Sequence, residues 1–375
     1  MHIRYFAHSW LSDWNHGNAH FLRGLASALA RRGHELRLYE AMPEPTGGWS
    51  LAHLLLEPGG AAAVAAMRAS YPELTVKTYG RYGDVCDWDA ELRDAELVLV
   101  HEWNEAKLLR WLVEQRRKYG FQLLLHDTHH RAVSDPDMLQ RLPLAALDGV
   151  LAFGESLRRV YERAGVAHSF TFHEGADVER FRPACGERSS DVIWIGNWGD
   201  EERTAALETY LLAPVRHARA RTRVYGVRYP TAAQEQLRAQ GIAYGGYLPN
   251  LDAPCAYSQA ALTVHIPRAP YPGSLDGIPT IRVFEALACG MPLLSAPWRD
   301  SEALFESGAD YLMARTSEGM TATMMQLLRD EQLRTQLSRQ GMSTVRQRHS
   351  CAHRAEQLEG ICRELGLNST SSAPA

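Results

Sequence analysis

Glu285 is the one acidic residue in the apolar run "IPTIRVFEALACGMPLLSAP", Ile278 to Pro297. A buried carboxylate left unpaired there would be costly. Arg282, three residues earlier on nearly the same helix face, can pair with it as a structural salt bridge. An ionised carboxylate only accepts hydrogen bonds, so the two hydroxyls of a ribose are a second fitting partner. Upstream, "IGNWGDEER" runs from a predicted strand, Asp191 to Ile195, into Gly196-Asn197-Trp198-Gly199. Glycines there permit close backbone approach, and a following helix presents its N-terminal amides. Arg203, in that helix's first turn, can add a bidentate charge-assisted contact. Such a set suits a diphosphate, on which negative charge builds as a bond to it breaks. Solvated helix arginines, or a surface pair with a nearby carboxylate, are the plain alternative for Arg203 and Arg282.

The first half has its own polar clusters. In "HSWLSDWNHGNAHF", Gly17 and Asn18 stand at a helix start, an anion or sugar site, with His16 just before them. Trp10 and Trp14 offer flat faces for a sugar ring or base, or else cap the core. "LLLHDTHH" places His126, Asp127, His129 and His130 at a strand's carboxyl end. His and Asp are good zinc ligands. The spacing matches no metal motif, however, and neighbours on an extended chain point to opposite faces. A polar cleft wall or acceptor contact therefore stands ahead of a metal site, with plain loop as the remaining reading. "HEWN", with Glu102 to Asn104, ends the preceding strand in the same way. "DPD", Asp135 to Asp137, lacks the strand context of a metal-binding triplet and is rejected.

The elements that must position these residues alternate. "IRYFAH", "ELRLYE", "ELVLVHEW", "QLLLHD" and "GVLAFG" are predicted strands, and the series restarts with "DVIWIGNW", "RTRVYG", "AALTVHI", "MPLLSAP" and "DYLMA". Helix patterns lie between them. In "AHFLRGLASALARRGH", Phe21, Leu22, Leu25, Ala28 and Leu29 share one face and Gly33 supplies the stop. Wholly apolar strands separated by helices indicate a parallel sheet covered on both faces. The fold class is therefore α/β, two doubly wound Rossmann-like domains with a cleft between them and a C-terminal helical segment. Ligands in such sheets bind beyond the carboxyl ends of the strands.

The chain has 375 residues, 45% hydrophobic and 22% charged, with a formal net charge of -4. This is soluble globular composition, and the length suggests two domains. The near-balanced charge gives no reason to expect nucleic acid as a partner. The six cysteines show neither close pairs nor metal spacing, which suits a reducing cytosol. No signal peptide or membrane span is expected, which leaves only a peripheral membrane contact open.

Several stretches together resemble the retaining, GT-B-fold glycosyltransferases of the broad family 4 style. "HEGADVERFRP" is similar to that family's interdomain segment, with Glu174 where asparagine is commoner. "GYLPNLDAPCAYSQAALTVHIPR" is similar to its segment beside the nucleotide base, and the run around Glu285 to its donor-binding helix. The spacing of "IGNWGDEER" and "RVFEALACG" is closer still to the spore-maturation CgeB-like branch. The resemblance covers roughly Phe172 to Pro297. It implies a glycosyltransferase (hexosyltransferase type) using a nucleoside diphosphate sugar, retaining and metal-independent, with no cofactor. Glu285 matches the family's ribose-binding second glutamate. The first would fall at Gly277, and Asp276 beside it is the candidate substitute.

The implied donor-binding residues are Gly196, Asn197, Arg203, Tyr247, Arg282 and Glu285. His126, Asp127 and Asp276 are catalytic candidates. Trp14, His16, Gly17, Asn18, Glu102 and His129 are acceptor-side candidates, and no metal ligand set is assigned. The expected segments are an acceptor-side domain over 1–172, a linker over 173–184 and a nucleotide-sugar domain over 185–320. C-terminal helices over 321–366 and a disordered tail over 367–375 complete the chain. The acceptor is open between glycan, lipid-linked intermediate, protein and small molecule, and the location is expected to be cytoplasmic. Two rivals stand beside this reading: a nucleotide-sugar epimerase or hydrolase on the same fold, and a non-catalytic nucleotide-sugar-binding module.

Overall fold

The computed structural model describes residues 1–42, 50–80, 83–85, 87–199 and 201–367. The expected tail lies almost wholly outside these residues. The chain forms two compact units: Met1–Glu174 together with the segment from Cys351 onward, and Gly175–Ser350.

The first unit is built on seven strands. They are β1 (His2–Phe6), β2 (Glu35–Ala41), β3 (Val76–Tyr79), β4 (Leu97–His101), β5 (Gln122–Asp127), β6 (Gly149–Ala152) and β7 (Ser169–Thr171). They pair in parallel in the order β3-β2-β1-β4-β5-β6-β7. Strands β4 and β5 read "LVLVH" and "QLLLHD" because both their faces are covered, and all but Gln122 are buried. The chain order reverses direction between β1 and β4, so their carboxyl ends flank the sheet's switch point, where a doubly wound sheet opens a crevice. Helix α1 (Ala19–Arg31) buries the apolar face read from its sequence, and Gly33 turns the chain out at φ 85°.

The second unit repeats the plan with six strands. They are β8 (Val192–Ile195), β9 (Thr222–Tyr225), β10 (Ala243–Tyr244), β11 (Leu262–His265), β12 (Leu293–Ser295) and β13 (Leu312–Met313). Their order is β10-β9-β8-β11-β12-β13, all parallel, with the switch point between β8 and β11. Its core packs Val192, Trp194, Leu207, Val224, Leu262 and Leu294. Helix α2 (Glu201–Leu207) follows β8 and α3 (Ile281–Ala288) precedes β12.

Helices α4 (Ser317–Arg329) and α5 (Glu331–Arg348) close the second unit. The last helix, α6 (Cys351–Glu364), belongs to the first unit and packs on α1. Arg32 places two nitrogens 2.6 Å from the Glu359 carboxylate, and His34 Nε2 lies 2.9 Å from it. The chain thus enters the second unit at Gly175 and leaves it at Ser350, inside the expected 173–184 linker at one end and within the expected C-terminal helices at the other. The two crossing strands run side by side, with Ala176 N donating to His349 O at 2.9 Å. No single helix among the described residues is long and apolar enough to cross a membrane.

Candidate functional site

The second unit's switch point gathers three of the six donor-side candidates, Gly196, Asn197 and Arg203. Strand β8 ends at Ile195 and the chain turns through Gly196 to Gly199. Gly199 sits at φ 83°, a conformation that favours glycine. A Cβ there would lie 3.0 Å from Arg203 Cβ and 3.5 Å from a guanidinium nitrogen of Arg268, so the stem of Arg203 and the guanidinium of Arg268, which also faces Glu202 at 3.6 Å, flank this turn. Arg203 is buried, donates to the carbonyl of Ile266 just past β11, and lies over the Trp194 ring at 5.3 Å. Sequence reasoning did not single out Arg268; its signal was a basic residue three positions past the end of β11, across the switch point from the glycine turn. Gly196 and Asn197 turn partly inward. Tyr229 donates to Gly196 O at 2.9 Å, and Asn197 Oδ1 accepts from Val227 N at 2.9 Å. The first turn of α2 also carries Glu201 and Glu202, and Glu202 Oε1 accepts from Ala269 N at 3.0 Å.

Glu285 is fully buried on α3. Arg282 Nη1 donates to its Oε2 at 2.5 Å, and the Tyr257 hydroxyl is a second hydrogen-bond partner. Burial raises the carboxyl above its ordinary range, and Arg282 and Tyr257 oppose that rise. The pairing expected from the spacing is therefore present. Thr280, just before α3, lies 3.1 Å from His265 Nε2. Burial, with Arg203 nearby, pushes that imidazole down to about 3. Tyr247 is half-buried in the loop after β10.

Gly277, where the resemblance expects a carboxylate, sits at φ 85°. A Cβ there would come within 2.7 Å of Glu302 Oε1 and 2.8 Å of Ser301 Oγ. The backbone disfavours a side chain at this position, and the Glu302 and Ser301 side chains, which lie against it instead, would have to shift to admit one. Asp276 pairs with Arg299 at 3.1 Å and is half-exposed.

In the first unit the candidates separate by depth. His126 and Asp127 have no exposed surface. His126 Nδ1 bonds the Tyr5 hydroxyl, with Phe21 and Phe172 against its ring. Asp127 accepts from the Tyr161 hydroxyl at 2.6 Å and from His129 N at 2.9 Å. Burial, then the neighbouring Glu102, pushes it up to about 8. These two residues organise the loop after β5 from beneath. Trp10 is a core residue, edge-on to Tyr5 at 4.9 Å and fully buried, so it is no stacking platform. The Trp14 ring is covered by His53 at 4.2 Å, and its Nε1 donates to Glu57 at 2.8 Å.

Nearer the surface, Asn18 next to Gly17 donates to Thr128 Oγ1 at 2.8 Å, and His129 packs edge-on to Trp103 at 4.9 Å. Arg131 lies over the other part of this wall, 4.5 Å from the Trp103 ring centre. Glu102, Trp103, Asn104, Arg131 and Met138 line a pocket of about 500 Å³. Burial pushes the Glu102 carboxyl up to about 8.

Three histidines converge beside that pocket: His8 after β1, His16 before α1 and His101 at the end of β4. One ring nitrogen from each lies within 4.8 Å of the others. Burial, with the neighbouring imidazoles and arginines, holds His8 and His16 well below their usual range, and burial alone takes His101 down to about 3. The metal set weighed from the sequence, around His126 and Asp127, is not among the groupings with metal-ligand spacing in the described residues. His8 and His101 were missed because they stand 93 positions apart in the chain and only the β1–β4 pairing joins them.

Residues 203–360 match a family model described as "Glycosyl transferase-like". No curated protein matches the chain by sequence. Among solved structures, HepE of Anabaena in complex with UDP and glucose superposes with a TM-score of 0.69 at 14% identity, covering 97% of this chain and 100% of that one. Together with the two parallel sheets and their matching strand orders, that superposition decides the architecture.

The fold is GT-B. Sucrose-phosphate synthase from Thermosynechococcus elongatus shares it, with a TM-score of 0.68 at 15% identity over 98% of this chain and 99% of that one. T4 phage BGT, in complex with its UDP-glucose substrate, gives 0.60 at 11% identity over 97% and 99%.

Proposed function

We propose that this GT-B chain is a glycosyltransferase that moves a sugar from a nucleoside diphosphate sugar to an acceptor hydroxyl. The observation that carries the reading is the pair Arg203 and Arg268 flanking the Gly199 turn at the second unit's switch point. As the bond from the sugar's anomeric carbon to the diphosphate breaks, its electron pair passes to the phosphate oxygen. The acceptor oxygen bonds to that carbon and loses its proton. The two arginines meet the charge that develops on the diphosphate, so donor binding needs no divalent metal. Glu285, fixed by Arg282 and Tyr257, offers its carboxylate to the ribose. Tyr247 stands on the base side. UDP is the proposed nucleotide, because HepE and T4 phage BGT were solved with UDP or UDP-glucose on the same fold.

The first unit supplies the acceptor side through Asn18, Glu102 and His129, while His126 and Asp127 hold the loop after β5 from below. The glutamate-helix pattern supports retention at the anomeric carbon, and the spacing of "IGNWGDEER" supports the CgeB-like branch. The proposed location is the cytoplasm.

The test is calorimetric titration of UDP, with and without EDTA, followed by assay of UDP release from UDP-sugars. Binding indifferent to EDTA, with release that needs an acceptor, is expected. UDP release at full rate without any acceptor would indicate a hydrolase. The absence of binding by any nucleoside diphosphate would remove the proposal.

A further inference from the structure

We infer that the first unit holds a divalent transition-metal cation of the zinc class on His8, His16 and His101. The inference stands apart from the donor site, which lies in the other unit.

The three imidazoles come from the carboxyl ends of β1 and β4 and the loop that follows β1, at the sheet's switch point. Ring centres are 4.2 Å apart for His8 and His16, 5.5 Å for His8 and His101, and 5.5 Å for His16 and His101. His16 and His101 are 7% and 0% exposed. Each ring has one nitrogen with no hydrogen-bond partner: Nδ1 of His8, Nε2 of His16 and Nδ1 of His101. Native proteins rarely bury three such nitrogens together, because each gives up its bond to water. A tetrahedral site with zinc–nitrogen bonds of about 2.0–2.1 Å places its nitrogens about 3.4 Å apart. Ligand atoms already within 4.8 Å need side-chain adjustments of an ångström or so, not a backbone change.

The surroundings fit ligands rather than stray core histidines. The far nitrogen of His101 hydrogen-bonds Thr128 Oγ1 at 2.9 Å, and Thr128 Oγ1 in turn donates to Glu102 Oε1 at 3.4 Å, a relay of the kind that orients a metal ligand and fixes its tautomer. The far nitrogen of His16 lies 2.6 Å from Ser9 Oγ. The loop that carries His8 and His16 is tied down as well. Glu40 accepts from Trp10 N at 2.7 Å and Leu11 N at 2.5 Å, and Arg23 Nε donates to Trp10 O at 2.8 Å. Three protein ligands leave a tetrahedral ion one open position. His8 is only half-buried, and its neighbour Trp103, 5.8 Å away, lines the 500 Å³ pocket. The open position is thus beside a space where an acceptor oxygen could bind the ion.

The experiment is a titration of the full chain, stripped by dialysis against a chelator, with Co2+ as a visible reporter and then Zn2+ as its competitor. One equivalent of Co2+ should give the visible bands of a tetrahedral, nitrogen-ligated ion, and Zn2+ should displace it. H16A and H101A should abolish the bands, and E102Q should weaken Co2+ binding by about 10- to 100-fold, as loss of an orienting partner does. UDP affinity should be the same with and without Zn2+, so a failure here leaves the donor proposal standing. Circular dichroism checks each variant's fold, and the wild-type spectrum decides the matter if a variant does not fold. The absence of a stoichiometric tetrahedral band in the wild type would overturn the inference. So would binding that survives in folded H16A and H101A proteins.

Discussion

Glu285 is the residue proposed to serve both structure and ligand with one carboxylate. It is fully buried, and Arg282 and Tyr257 each claim part of it. E285A removes a charged hydrogen-bond acceptor from a closed site, so UDP affinity should fall by about 10- to 150-fold, the equivalent of ~1.5–3 kcal/mol. E285Q keeps one acceptor oxygen and should lose less. Calorimetry on both variants, with thermal melts to confirm folding, checks this, and unchanged affinity in a folded E285A protein would leave Glu285 a structural ion pair only. The residue's burial and its partner Arg282 were legible in the sequence, because a lone acid in an apolar helix with arginine three positions away has few other fates. Arg268 and Glu302 were not. Their roles depend on which loops meet at β11 and at Gly277, and no local periodicity encodes such meetings.

Among the elements, the central strands declared themselves through continuous apolar runs, as did the edge strand β13 in "DYLMA", and the other three edges did not. Strands β3, β7 and β10 are edge strands of four, three and two residues, too short and too mixed to announce themselves. The turn at Gly277 carries its own test. Alanine there must adopt φ near 85° and push its Cβ against Glu302 and Ser301. G277A should destabilise the second unit by about 1–3 kcal/mol, read as a lower melting temperature. A fully stable G277A protein would show the turn to be slack.

The seam between α1 and α6 predicts a pH effect. Arg32 and then His34 hold the Glu359 carboxyl down to about 2, below its unfolded value near 4.5. Its contribution is complete above about 4.5 and is lost as pH falls from there towards about 2. Because Arg32 is 40% exposed, screening limits the effect to about 1 kcal/mol. The gap in stability between wild type and E359Q should narrow across that acidic window, and a constant gap would contradict the pairing.

At the scale of the whole molecule, the proposed division of work between the two sheets of matching order puts the donor on the second unit and the acceptor on the first. Substitutions at Asn18 or His129 should slow sugar transfer while leaving UDP affinity within about twofold, since neither residue belongs to the unit proposed to hold UDP. Transfer rate and calorimetry side by side test this division. The doubly wound plan was readable from strand–helix alternation alone. The return of the chain after Ser350, which gives α6 to the first unit, was not, because an amphipathic helix does not record which apolar surface it will cover.

The central claim is that the switch point of the second unit binds a nucleoside diphosphate through its arginines, and calorimetry of UDP and uridine against wild type and R203A tests it most directly. UDP should bind wild type and lose at least about tenfold in R203A, the worth of one charge-assisted contact, while uridine affinity stays unchanged. UDP binding that is equally strong in R203A, or missing from the wild type, would contradict the account.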